Sequence, residues 1–228
     1  MKTQTTEKTT KTQARQENTK DMRTLVIHPI DPTTDFLIGM YEGQTDYTVE
    51  RDPLNHPNLK QLIMDHDCIM MLGHGLPGGL MERHKTVIDQ DYAVILRTKF
   101  CIGIWCYACV FFERHALTGY YTGMMISEVQ EATLMGIKAS EEDVKVSNAK
   151  FVKAFRTSLD EPNFLRSFKS RYYPLGTELY RFNWERVFTN EQPAGSKFGL
   201  FAELKRSRSS MLEYLTGLSE MDGWDGLM

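Results

Sequence analysis

Two runs of consecutive apolar residues, Cys68-Ile-Met-Met-Leu72 and Phe100-Cys-Ile-Gly-Ile-Trp105, set the tightest limit on what this chain can fold into. Neither run alternates apolar with polar, so each has the pattern of a strand buried on both faces. Strands of that kind belong in a parallel sheet covered by helices. The stretch between them is long enough for the crossover that parallel neighbours require.

The same alternation extends either way. Arg23-Thr-Leu-Val-Ile-His28 reads as a first buried strand, stopped by Pro29 and Pro32. Asp35 to Met40 reads as a short helix and Tyr47 to Glu50 as a second strand. Asn58 to His66 carries Leu59, Leu62 and Ile63 at helical spacing. Leu80 and Met81 open a short hairpin, and Asp89 to Arg97 is helical. Ala108 to Leu117 reads as a helix ended by Gly119, followed by a strand over Tyr120 to Ile126. Glu128 to Met135 is a further helix, closed by Gly136. Ser140 has the character of an N-cap, with Glu141, Glu142 and Asp143 in the first turn. The helix it starts is expected to run to about Leu159. Beyond Pro162 the pattern weakens. Glu178 to Phe188 reads as a strand or an irregular segment, and Lys197 to Leu215 as an amphipathic helix with Gly217 just past its end. The fold class expected is α/β: a three-layer α/β/α sandwich with a mostly parallel central sheet.

With 228 residues the chain is expected to hold one domain, over 22–218. Residues 1–21 are Lys, Thr, Gln and Glu without an apolar stretch, and read as a disordered polar tail rather than a secretory signal. Residues 219–228 read as a frayed end. A net charge of -3 gives no bulk electrostatic case for nucleic acid or anionic lipid. No apolar run approaches the roughly 18 residues of a membrane span. Four cysteines, two of them (Cys68 and Cys101) inside strand-like runs, favour a reducing, cytoplasmic setting.

The chemistry collects at the ends of the two apolar runs. Cys68–Leu72 leads into Gly73-His74-Gly75-Leu76-Pro77-Gly78-Gly79, expected to be a loop rather than a regular element. Phe100–Trp105 leads into Cys106. Open α/β sheets carry their sites at the carboxyl ends of their strands, and an imidazole beside a thiol is one way to make a nucleophile. Cys106 precedes the expected helix from Ala108. Unpaired N–H groups at a helix start lower a thiol pKa, and a nearby imidazole takes its proton.

The segments Asp67-Cys-Ile-Met-Met-Leu-Gly-His-Gly-Leu-Pro-Gly-Gly-Leu80 and Phe100-Cys-Ile-Gly-Ile-Trp-Cys106 resemble the histidine and cysteine halves of the caspase–legumain–clostripain–gingipain class of cysteine peptidases. In that class one strand ends in His-Gly, a short turn and hairpin follow, and a later strand ends in the nucleophilic Cys. The resemblance implies a caspase-like fold, His74 as the proton-transfer group and Cys106 as nucleophile. It also implies an oxyanion hole from the backbone N–H groups of Gly75 and Cys106. Ser127 and Glu128, after the next strand, fall where that class builds its specificity pocket, although a helix-start carboxylate also explains Glu128. A peptide or protein substrate is implied, with no metal or organic cofactor. Two features depart from the class. The interval from His74 to Cys106 is short, and Tyr107, Ala108 and Cys109 replace the small residues often found after the nucleophile. The opening segment Arg23 to Asp35 resembles uncharacterised bacterial proteins.

Other readings of the same residues stay open. Trp105-Cys-Tyr-Ala-Cys109 also resembles the thioredoxin dithiol motif, but no proline lies between Cys109 and Pro162 to face a dithiol. A non-catalytic caspase-like module that binds partners is a further alternative. Cys106 and Cys109 have zinc-ligand spacing without a second close pair, and His115 would project elsewhere. His28 could approach the same sheet edge, and Asp31 or Asp35 could orient a histidine. Tyr172, Tyr173, Tyr180, Phe182 and Trp184 could line a groove or fill a core. Lys205-Arg-Ser-Arg208 reads as a solvated helix face. No Gly-x-Ser-x-Gly, Walker-type or dinucleotide-type glycine motif occurs.

Overall fold

A computed structural model describes residues 23–159, 161, 163–173 and 177–189. The two expected tails, the helix over 197–215 and the Lys205–Arg208 face lie outside these residues. In chain order the described strands are β1 (Thr24–Ile27), β2 (Tyr47–Glu50), β3 (Cys68–Leu72), β4 (Gly75–Leu76), β5 (Gly79–Glu82), β6 (Lys85–Ile88), β7 (Phe100–Ile104), β8 (Thr118–Thr122) and β9 (Val187–Thr189). The α-helices are α1 (Leu59–Met64), α2 (Ala93–Leu96), α3 (Ala108–Arg114), α4 (Val129–Leu134), α5 (Glu141–Arg156), α6 (Phe164–Tyr172) and α7 (Glu178–Trp184). Single 3-10 turns cover Asp35–Met40, Pro53–Asn55 and Gln90–Tyr92.

The chain is α/β. Six strands form a mixed sheet in the order β2-β1-β3-β7-β8-β9. All neighbours are parallel except β8 and β9. β3 and β7 are wholly apolar because both of their faces are covered. On one face Val26, Met70, Leu72, Ile102 and Ile104 meet Phe151 and Phe155 of α5 and Phe164, Phe168 and Tyr172 of α6. On the other, Leu25, Ile27, Ile69, Met71 and Cys101 meet Ile63 of α1 and Ala108, Phe111 and Phe112 of α3. Each large apolar side chain removed from water in this way contributes about 1.5–3 kcal/mol. A separate antiparallel sheet, β4-β5-β6, rises between β3 and α2.

Several expectations need correction. The glycine-rich loop is not wholly irregular: Gly75 and Leu76 pair with Leu80 and Gly79. Gly119 does not stop a helix but lies inside β8, with φ at 142°. A Cβ there would sit 1.8 Å from the Cys101 carbonyl oxygen, so only glycine permits this approach to β7. β8 therefore spans Thr118–Thr122, and Gly123 to Ile126 are not strand. After residue 162 the chain builds α6 and α7 before β9, where a strand or irregular segment was expected. Leu165, Phe168 and Tyr172 supply α6 with a buried stripe at helical spacing. The cap of α5 matches expectation, with Ser140 and Asp143 forming a reciprocal box, and α1 is capped by Asn58, which accepts from the Gln61 N–H.

Candidate functional site

Leu72 and Ile104 are paired across β3 and β7. The Gly73 N–H continues the ladder by donating to the Ile104 carbonyl at 3.1 Å. His74 and Cys106 each stand two residues beyond that pair, at equivalent ends of adjacent parallel strands. This is the edge where open α/β sheets assemble sites. Gly73 turns the chain out of β3 with φ at 138°. The hairpin beyond it is pinned from below: the Trp105 indole N–H donates to the Leu76 carbonyl at 3.3 Å. A Cβ on Gly75 would lie 2.1 Å from Trp105 Cδ1, so only a glycine fits against the indole ring there.

His74 is held by the loop that follows β1. Its Nε2 is 2.6 Å from Thr33 Oγ1, and the same hydroxyl donates to Asp31 Oδ1 at 2.7 Å. A hydroxyl has one proton to give. With that proton on Asp31, Thr33 Oγ1 accepts from the His74 Nε2–H, which leaves Nδ1 as the basic nitrogen. Asp31 Oδ2 adds a carboxylate 3.9 Å from Nε2. The hydroxyl and amide of Thr33, together with the His74 imidazole, hold the Asp31 carboxyl below the usual range against a desolvation that raises it. Asp31 thus faces the histidine, whereas Asp35 pairs with Arg51 at 2.7 Å. Thr33 carried no recognisable sequence signal.

His28 has a different place. It is fully buried, with Nδ1 3.0 Å from the Tyr41 hydroxyl and Nε2 3.3 Å from Thr34 Oγ1. Burial and the Arg51 guanidinium lower its pKa to about 4. It is a neutral core histidine rather than a member of the site.

At the end of β7 the backbone turns sharply. Tyr107, next to Cys106, adopts a left-handed conformation (φ 67°, ψ 21°) before α3 begins. That costs a residue with a Cβ about 1–2 kcal/mol, and such strain collects at functional positions. Tyr107 is nonetheless buried in the core.

The surroundings of the thiol reverse the expected shift. The Cys106 Sγ is 3.7 Å from the Met125 carbonyl oxygen and 3.9 Å from Glu131 Oε1. The carboxylate, an acceptor, favours S–H over S⁻, while the backbone bond of Met125 opposes it. Burial pushes the thiol up, and the Glu131 carboxylate pushes it further. The seven-residue α3 is too short and too close-packed to offset this.

Glu131 was not singled out in the sequence, yet it organises this side of the site. It is 5% exposed. Its Oε2 accepts from the Ser127 N–H (2.7 Å), the Ser127 hydroxyl (3.0 Å) and the Glu128 N–H (3.1 Å). Burial raises its pKa, while the bonds from Ser127 and the nearby His74 imidazole oppose the rise. Cys106 therefore addresses this carboxylate, while the partners of His74 are Thr33 and Asp31. Ser127 and Glu128, expected near a specificity pocket, form with it the start of α4, with Glu128 as the N-cap. The pattern Glu128-x-x-Glu131, a box-like helix start, was the available signal.

The intervening loop is tied at several points. Gly123 N–H donates to the Arg186 carbonyl at 2.8 Å. Ile126 donates to Asn183 Oδ1 and accepts from Asn183 Nδ2, both at 2.8 Å. The Ser127 carbonyl accepts from Asn148 Nδ2 at 2.8 Å.

Cys68, Cys101 and Cys109 are buried; burial pushes the Cys68 thiol up to about 12. Cys109 is fully covered within the α3 face of the core, which disfavours a dithiol exposed to a partner disulfide. Among the described residues no group of three or more His, Cys, Asp or Glu side chains is arranged to hold a metal. None of their helices is long and apolar enough to cross a membrane. Tyr172 and Tyr180 are core residues, while Tyr173 is 40% exposed against Trp184. No family model, curated protein or solved structure matches the chain.

Proposed function

We propose that this chain is a cysteine-dependent hydrolase, a peptidase of the caspase–legumain–clostripain type on a three-layer caspase-like sandwich. The observation that carries this reading is the equivalence of His74 and Cys106, each two residues past one paired position of neighbouring parallel strands. The hairpin after His74 and the Thr33–Asp31 support of its Nε2 add to it.

In this reaction Cys106 Sγ gives its proton to His74 Nδ1 and attacks the carbonyl carbon of a peptide bond. The backbone N–H groups of Gly75 and Cys106 donate to the oxygen that becomes negative. As the C–N bond breaks, His74 returns the proton to the departing amine. Water, deprotonated by His74, then attacks the thioester and frees the thiol. Asp31 and Thr33 hold the imidazole in place. No metal or organic cofactor takes part. Substrates are peptides or proteins.

The test is incubation of the full chain with a mixed peptide library, read by mass spectrometry. Cleavage by the wild type should fall at least about a hundredfold in Cys106→Ala and in His74→Ala, and persist in Cys109→Ala. Cleavage unchanged in both of the first two variants refutes the assignment. A non-catalytic module on the same fold is the second reading, favoured by the two acceptors around the sulfur; it expects binding without turnover.

A further inference from the structure

The sulfur of a nucleophilic cysteine needs a neighbour that takes its proton and none that resists its charge. Here a carboxylate, which cannot donate to a thiolate, lies 3.9 Å from the sulfur, and only a backbone bond of Met125 acts against it. They are fixed in place: Met125 and Glu131 belong to a loop and first helical turn held by Asn183, Asn148 and the donors from Ser127 and Glu128. We propose that Glu131 is a latch that keeps Cys106 in its thiol form, and that the residue becomes a nucleophile only when the first turn of α4 releases the sulfur.

The proposal rests on Cys106 being the nucleophile and adds regulation to that site. Glu131 and Glu128 are the acidic groups that act on the sulfur, both from the start of α4. The His74 imidazole, at the end of β3, acts on Glu131 electrostatically. While the carboxylate is charged and in place, a proton leaving Cys106 for His74 creates an anion beside an anion. Moving Glu131 away removes that penalty. The same carboxylate closes the helix start, so a change of the loop and a change of thiol reactivity are one event.

The decisive measurement is the alkylation rate of Cys106 by iodoacetamide against pH, on the full chain, followed by mass spectrometry of the Cys106 peptide. In the wild type the apparent pKa should lie above the ordinary 9.0; a value at or below it overturns the proposal without any variant. Glu131→Gln, which keeps the side chain's size and an acceptor for Ser127, should raise the rate at pH 8 at least tenfold, the effect of one pKa unit on the thiolate fraction. An unchanged or slower rate overturns the latch. Ser127→Ala removes one of the bonds that fix Glu131 but keeps its charge, so its rate should rise by less than in Glu131→Gln. Equal acceleration in Ser127→Ala and Glu131→Gln shows that access rather than charge is responsible, and likewise overturns it. Thiol titration does not depend on substrate, so failure here and failure to cleave peptides are separate results.

Discussion

Asn183 offers the sharpest test of how the wall beside Cys106 is held. Its side chain is fully buried and satisfies both backbone groups of Ile126, itself fully buried, at 2.8 Å, with the Tyr172 hydroxyl at 3.3 Å. Asn183→Leu keeps the branched shape but orphans a buried N–H and a buried carbonyl. Each costs about 1–3 kcal/mol, so the loss should be about 2–6 kcal/mol. The urea midpoint should drop by about 1 M or more for a typical dependence on denaturant. Asn183→Asp is more discriminating. One carboxylate oxygen can still accept from the Ile126 N–H, but the other faces the Ile126 carbonyl. Protonation restores a donor there, so the folded state holds this proton more tightly than the unfolded one. Stability relative to wild type should fall as pH rises above the unfolded value of about 3.9, by up to about 1.4 kcal/mol per pH unit. A loss below about 1 kcal/mol in Asn183→Leu, or a pH-independent difference in Asn183→Asp, would refute the bonding assigned to this side chain.

Two further outcomes follow from other parts of the fold. His28 is neutral in the folded state, with a pKa lowered from 6.5 to about 4. Its contribution is fully present above 6.5 and is lost as pH falls toward 4. That range corresponds to about 3 kcal/mol, and the decline, followed by chemical denaturation between pH 7 and 4, should be absent in His28→Gln. At the β5–β6 turn, Arg83 and His84 both have positive φ (47° and 67°) between the paired Glu82 and Lys85. A two-residue turn of this kind prefers Asn-Gly. The double variant Arg83→Asn/His84→Gly should gain about 1 kcal/mol and raise Tm by about 2–4 °C; a lower Tm contradicts the strain assigned there.

The parts of the structure legible in the sequence were those set by local pattern. β1, β3 and β7 announce themselves because burial on both faces leaves unbroken apolar runs. Ser140 with Asp143 announces α5 because the cap chemistry is contiguous. Gly119 misled because a glycine after a helical stretch has the same letter whether it ends a helix or lets two strands approach. The difference lies in Cys101, on a neighbouring strand. α6 was obscured by the basic residues between its buried positions, Arg166, Lys169 and Arg171. The ends of β3 and β7 drew attention to His74 and Cys106, but the thiol's environment could not be read locally. Met125 and Glu131 are 19 and 25 residues away in sequence, and which of two nearby acids, Glu128 or Glu131, turns inward depends on how α4 starts.

One carboxylate serving both a helix terminus and a sulfur has a thermodynamic consequence that runs in both directions. Whatever the start of α4 does to the acidity of Cys106, the ionisation of Cys106 must do to the start of α4, by the same free energy. A group bonded to that sulfur therefore counts as a ligand of the helix, able to fray or firm a turn that it never touches.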